Sequence, residues 1–136
     1  TIQDVRVWMR NILVFSGDFI TQKAERNVQN VISHVRQYIQ ENLSADLSLG
    51  SIAQHFFYSP NYLNTRFKKE MNMTISEYIT SEKIRTAKGL LLSTGKGIAE
   101  ISAQVGYEHV SYFNYVFKRL EGIAPREYRQ KHGHAE

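Results

Sequence analysis

The sequence predicts an all-α protein in which one helical pair is used twice, the two copies joined by a long helix. Three observations carry this. Apolar residues recur at three- and four-residue spacing along most of the chain, the period of a helix with one buried face. Serine, threonine and proline stand where such helices would begin. A pattern of the first half returns in the second.

Residues 2–20 place Ile2, Val5, Trp8, Met9, Ile12, Leu13 and Phe19 on one stripe, interrupted at Gly17-Asp18. A second stripe runs through Val28, Val31, Ile32, Val35, Tyr38, Ile39 and Leu43, and the turn-type residues Asn42 to Asp46 end it. Ser48 is placed to cap a short helix that buries Leu49, Ile52, Ala53 and Phe56. After Phe57-Tyr58, Ser59-Pro60 is a second start signal: a side-chain cap, then a residue that needs no N–H donor. The helix Asn61 to Met71 packs through Leu63 and Phe67. Thr74 and Glu77 form a capping box that opens a long helix through Ile75, Tyr78, Ile79, Ile84, Ala87, Leu91 and Leu92. The pattern then restarts with a short helix from Ile98 to Val105, a turn at Gly106 to Val110, and a helix from Ser111 to Leu120 packed through Phe113, Phe117 and Leu120. Pro125-Arg126-Glu127-Tyr128-Arg129 begins a last short helix.

The repeat is specific. Leu49, Ile52 and Tyr58 match Ile98, Ile101 and Tyr107 at an offset of 49, while Tyr62, Asn64, Phe67 and Lys68 match Tyr112, Asn114, Phe117 and Lys118 at an offset of 50. An offset that shifts only inside the turn describes one helix-turn-helix unit present twice. The second helix of each unit leaves a polar stripe outside its packing face: Asn61, Asn64, Thr65 and Lys68, then Ser111, Asn114, Tyr115 and Lys118. Asparagine, serine and threonine are poor helix-interior residues. Asparagine can, however, bond adenine N6 and N7 in the major groove, and serine or threonine can bond base edges of either kind. Plain solvent exposure accounts for one such stripe; two, each beside paired cations, favour nucleic acid. The joining helix, residues 75–92, would be ~27 Å long at 1.5 Å per residue. Successive major-groove faces on one side of B-DNA lie ~34 Å apart, so a rod of this length could carry two recognition helices to adjacent grooves.

Composition narrows the alternatives. The chain has 136 residues, 42% hydrophobic and 22% charged, enough for one domain or two very small ones. It has no cysteine, which excludes a disulfide framework, a thiol nucleophile and a Cys-ligated metal. Its apolar stretches are short of a membrane span and no secretory signal opens it. The net charge of +4 is mild, but its placement is uneven. Arg66, Lys68 and Lys69 cluster against Glu70, and Lys118 and Arg119 stand in a stretch with no acid. Local positive charge is what a polyanion responds to.

These segments resemble the DNA-binding domain of AraC/XylS-type transcription regulators. The most specific stretch is Val105-Gly106-Tyr107, Ser111-Tyr112-Phe113, Val116-Phe117-Lys118-Arg119, Gly122, Pro125 and Tyr128-Arg129, and the likeness runs from Val28 to Lys131. Tyr58-Ser59-Pro60 and Tyr62-Leu63 look most like the C-terminal domain of YesN-like two-component response regulators. The resemblance implies a homeodomain-like, bihelical architecture: a first subdomain at 28–73, a linker helix at 74–93, a second subdomain at 94–131 and a tail at 132–136. It implies base reading by Asn61, Asn64, Thr65, Ser111, Asn114 and Tyr115, and backbone contacts from Tyr62, Lys68, Lys69, Tyr112, Lys118 and Arg119. The expected partners are double-stranded DNA and RNA polymerase, in the cytoplasm of a bacterium, with no cofactor and no membrane. There are departures: Phe57 stands where many members have glycine, Lys83 where arginine is usual, and Ala124 where a serine or threonine usually caps the last helix. Neither stripe carries arginine at the guanine-reading position, which leans the expected site toward A·T pairs.

Other readings have less to stand on. No strand and no Gly-rich phosphate loop is evident, and Glu100 and Glu108 have no partner base or nucleophile, so no enzyme is expected. His132 and His134 are two ligands where a metal site needs three or four. A chain that begins at Thr1 reads as part of something longer, with residues 1–27 an extension from an upstream regulatory domain and a possible route to a homodimer. The stripe Val5, Trp8, Met9, Ile12 and Leu13 also suits a helical protein–protein interaction module, the alternative function.

Overall fold

The computed structural model describes residues 18–133, and the side chains of residues 30–133. The stripe at Val5, Trp8, Met9, Ile12 and Leu13 lies outside the described residues, as does His134. Among the described residues there are seven helices and no strand: α1 (Asp18–Glu41), α2 (Leu49–His55), α3 (Pro60–Met71), α4 (Ile75–Ser93), α5 (Ile98–Gln104), α6 (Val110–Glu121) and α7 (Pro125–His132). They sort into two compact units. One holds α1 together with Leu47–Tyr78; the other holds Asn42–Asp46 and the described residues from Ile79. The helix predicted to start at Val28 is longer than expected. α1 begins at Asp18, so the boundary expected after residue 27 falls inside a continuous helix.

In the first unit the predicted stripe of α1 is the buried one, with Ile32, Val35 and Ile39 inside. They share that core with Ile52 and Ala53 of α2, Leu63 and Phe67 of α3, and Ile75 and Tyr78 of α4. Full burial of a side chain such as Leu63 or Phe67 stabilises by roughly 1.5–3 kcal/mol. The second unit is built alike. Ile84, Ala87 and Leu91 of α4 meet Ile101 of α5, Val105 just beyond it, and Phe113, Val116 and Phe117 of α6.

The two turns open with the same hydrogen bonds despite different sequences and one residue's difference in length. In the first, the N–H groups of Phe57 and Tyr58 donate to Gln54 and Ala53 carbonyls at 3.2 and 2.9 Å. In the second, those of Gly106 and Tyr107 donate to Ala103 and Ser102 at 3.1 and 2.9 Å. Both turns need a left-handed residue, and Phe57 adopts φ 64° where the repeat has Gly106 at φ 94°. The missing glycine therefore does not change the turn. Phe57 carries the strain that a Cβ brings to that conformation. Gly106 has an added constraint: a Cβ there would be driven into the Leu43 carbonyl oxygen.

Helix ends follow the start signals in the first unit. Ser48 caps α2 through a reciprocal bond with Ser51, and Ser59 caps α3 by accepting from the Tyr62 N–H at 3.2 Å. Thr74 and Glu77 exchange two 3.1 Å bonds at the start of α4. The Thr74 N–H, then its side chain, hold the Glu77 carboxyl below its ordinary value of 4.5. That contribution is present above the ordinary value and is lost as pH falls through the folded one. In the second unit Gly97, His109 and Ala124 give no side-chain cap.

Long cationic side chains work there instead. Arg129 donates Nε to the Leu91 carbonyl at 3.0 Å and Nη2 to the Thr94 and Lys96 carbonyls at 3.3 and 2.6 Å. It thereby closes the C-terminus of α4, where carbonyls lack helical partners. Lys83 places Nζ 3.3 Å from the Gly106 carbonyl oxygen and 5.0 Å from the Tyr107 ring centroid. Burial pulls its pKa below the usual lysine range. Lys88 pairs with Glu121 at 3.1 Å and Lys96 with Gln104 at 2.8 Å.

Two outcomes follow for urea denaturation. Gly106→Ala should cost ~2 kcal/mol or more, combining left-handed strain with the Leu43 clash, while Phe57→Gly should stay within ~1 kcal/mol of the parent. Arg129→Ala should cost ~2–3 kcal/mol, since it leaves three carbonyls without their charged donor. Arg129→Lys should recover only part of this, because an ammonium cannot reproduce the guanidinium fork.

Candidate nucleic-acid interface

The exposed side of α3 carries Asn61, Tyr62, Thr65, Lys68 and Lys69. Its helical periodicity, with Leu63 and Phe67 turned into the core, fixes which residues these are. A shallow depression is lined by Asn64, Thr65, Lys68, Lys69, Asn72 and Thr74. Asn64 is the exception among the six residues predicted to read bases. It is half-buried, and its Oδ1 accepts from the Ile75 N–H at 3.0 Å. Asn72, which no sequence pattern singled out, ends α3 in the left-handed conformation at φ 60° and stands at the rim of this depression.

In the second unit Ser111, Tyr112, Asn114, Tyr115, Lys118 and Arg119 are all exposed on α6. Asn114, Tyr115 and Lys118 line an open depression with Ile98, Ala99, Val110 and the start of α7 at Ala124, Pro125 and Arg126. Arg126 was missed by sequence reasoning; its signal is a cation in the first turn of the helix that follows α6. Tyr112 and Tyr115 are 59% and 60% exposed, which is unusual for rings of that size and leaves two flat faces available. Tyr112 lies between neighbours, 5.9 Å from the Tyr107 ring and 6.3 Å from that of Tyr115. Tyr58 and Tyr62 make the matching pair in the first unit at 5.5 Å. Burial, with a smaller contribution from Tyr112, pushes the Tyr107 phenol up to about 12, so it stays neutral at working pH.

The cations divide by task. Lys83, Lys88, Lys96 and Arg129 have partners inside the second unit. Lys68 and Lys69 lie in the last turn of α3, and Lys118 and Arg119 in the last turn of α6. They complement the negative end of each helix and remain exposed to an outside anion. Among the described residues no group of three or more His, Asp or Glu side chains is placed to hold a metal ion. No described helix is long and apolar enough to cross a membrane.

Each unit thus offers one exposed helix face with short hydrogen-bonding side chains in the middle, cations at one end and tyrosines at the flank. A helix-turn-helix domain family matches residues 52–131. The HTH-type transcriptional regulator YtdP of Bacillus subtilis is 33% identical over 132 residues, 96% of this chain, and the chain spans 17% of that relative's length. The C-terminal domain of AraT, a response regulator from Geobacillus stearothermophilus, superposes with a TM-score of 0.76 at 36% identity, covering 78% of this chain and 88% of that one. The C-terminal domain of the two-component response regulator YesN from Fusobacterium nucleatum gives 0.65 at 31% identity, covering 79% and 98%.

Proposed function

The chain belongs to the AraC-type helix-turn-helix family, and on that premise we propose that it binds double-stranded DNA sequence-specifically as part of a transcription regulator. The observation that carries the reading is the repetition. The same exposed polar stripe, ending in paired cations, stands on the second helix of both units. In this reading residues 28–73 and 94–131 are two reading units linked by 74–93, and α3 and α6 enter adjacent major grooves of one duplex. Lys68, Lys69, Lys118 and Arg119 neutralise phosphates, release counterions and set register, with Tyr62 and Tyr112 against the backbone. Asn61, Thr65, Ser111, Asn114 and Tyr115 read base edges. The chain itself performs no chemistry. RNA polymerase, an upstream regulatory domain and a second copy through residues 1–27 are further partners in this proposal, and its place of action is the cytoplasm.

A fluorescence-anisotropy titration of labelled duplex DNA at rising salt tests the reading. The parent chain should bind with a steep salt dependence. Lys118→Ala should weaken binding to every sequence and reduce the slope of log K against log salt by about 1. An unchanged slope would take Lys118 off the backbone. Failure of the parent to bind any duplex would favour the protein-interaction module.

A further inference from the structure

The two units repeat their backbones but differ in the use of one asparagine. Asn64 on α3 and Asn114 on α6 are equivalent positions, each two residues after the exposed tyrosine and three before the core phenylalanine. Asn64 is half-buried and its Oδ1 accepts from the Ile75 N–H at 3.0 Å. Ile75 is the first residue of α4, so its N–H is one of four that the helix cannot satisfy itself. The Thr74–Glu77 box serves the N–H groups of Thr74 and Glu77 and leaves this one over. At the corresponding start of α7 stands Pro125, which has no N–H to satisfy. Asn114 is exposed and faces the open depression with Tyr115 and Lys118.

This difference bears on recognition. Bidentate reading of adenine needs the asparagine oxygen to accept from N6 while its amide donates to N7. The Asn64 oxygen is already held, and releasing it would orphan a helix N–H. We propose that Asn64 is a positioning residue that ties the first turn of α4 to the recognition helix α3, that Asn61 and Thr65 do the base reading in the first unit, and that Asn114 is the reading asparagine. This deepens the DNA-binding reading above and rests on it for the reading roles, while the role of Asn64 in α4 stands apart from DNA.

Melting and binding of the 136-residue chain test the two parts separately. Asn64→Ala should lower the melting midpoint by about 4–8 °C, the loss of one helix cap in a small unit. Asn64→Asp keeps the acceptor and sets a negative charge at a helix N-terminus, so it should restore the midpoint. Asn114→Ala should not lower it, since alanine is the better helix former at an exposed position. On DNA, well below the midpoints, Asn64→Ala should weaken every duplex by one common factor and leave base preference intact, because α4 links the two readers. Asn114→Ala should weaken binding roughly 5- to 100-fold for one base at one position and leave other sequences alone. A melting midpoint unmoved by Asn64→Ala, or not restored by Asn64→Asp, would overturn the positioning role. Flattened preference at one base pair in Asn64→Ala would make it a reader. If no duplex binds the parent chain, the reading roles fall while melting still decides what Asn64 does.

Discussion

Both units depend on how the ends of one helix are satisfied. A helix leaves its first four N–H and last four C=O groups without internal partners, and at each end of α4 a side chain from another helix takes up some of them. At its start, Thr74, Glu77 and Asn64 supply the missing acceptors, and Gln40 of α1 donates to the Tyr78 hydroxyl at 2.8 Å. At its end, the Arg129 guanidinium collects three carbonyls with one rigid fork. The residues that do this come from the recognition helix in one unit and from the last helix in the other. Each unit is thereby fastened to its own stretch of α4 by polar bonds that have few alternatives, on top of a non-directional apolar core.

The repeat shows which features the unit must keep and which can be exchanged. The core phenylalanines, the left-handed residue in the turn and a neighbouring tyrosine pair are present in both units, the pair stacked in the first and tilted in the second. Capping is not. The first unit uses serine and threonine, whereas the second lacks such caps and is tied by Lys83, Lys88, Lys96 and Arg129. The consequence for function is electrostatic. Several of the second unit's cations hold partners within it, while Lys118, Arg119, Arg126 and Lys131 stay exposed to an approaching polyanion.

The order of the helices from α2 onward and the start points in the first unit were legible because they are local. Ser48, Ser59-Pro60 and Thr74–Glu77 act on N–H groups two or three residues away, and apolar spacing shows most of the buried face, although Leu92 and Leu120, expected to pack, are exposed near the ends of their helices. The polar stripes of α3 and α6 were legible as what remains. What the pattern could not show was a bond made across eleven residues between two helices, Asn64 to Ile75. By spacing alone Asn64 and Asn114 look identical; the difference lies in whether a distant residue has an N–H. Phe57 was equally opaque, since a propensity argument against φ above zero is overruled when the surrounding turn bonds hold it. The Arg129 clamp reaches back more than thirty residues, beyond the range of any local pattern. The unbroken course of α1 across residue 27 was missed because polar residues at 21–27 mask a helix that has no apolar stripe there.

The central claim is that two similar helix faces on one chain read two stretches of one duplex. Binding selection of this chain from a random duplex library at moderate salt tests it most directly. Two enriched boxes about one helical turn (~10 bp) apart are the expected result. One box alone would contradict a two-unit reader, and weak salt-sensitive binding with no enrichment would contradict base reading by either face.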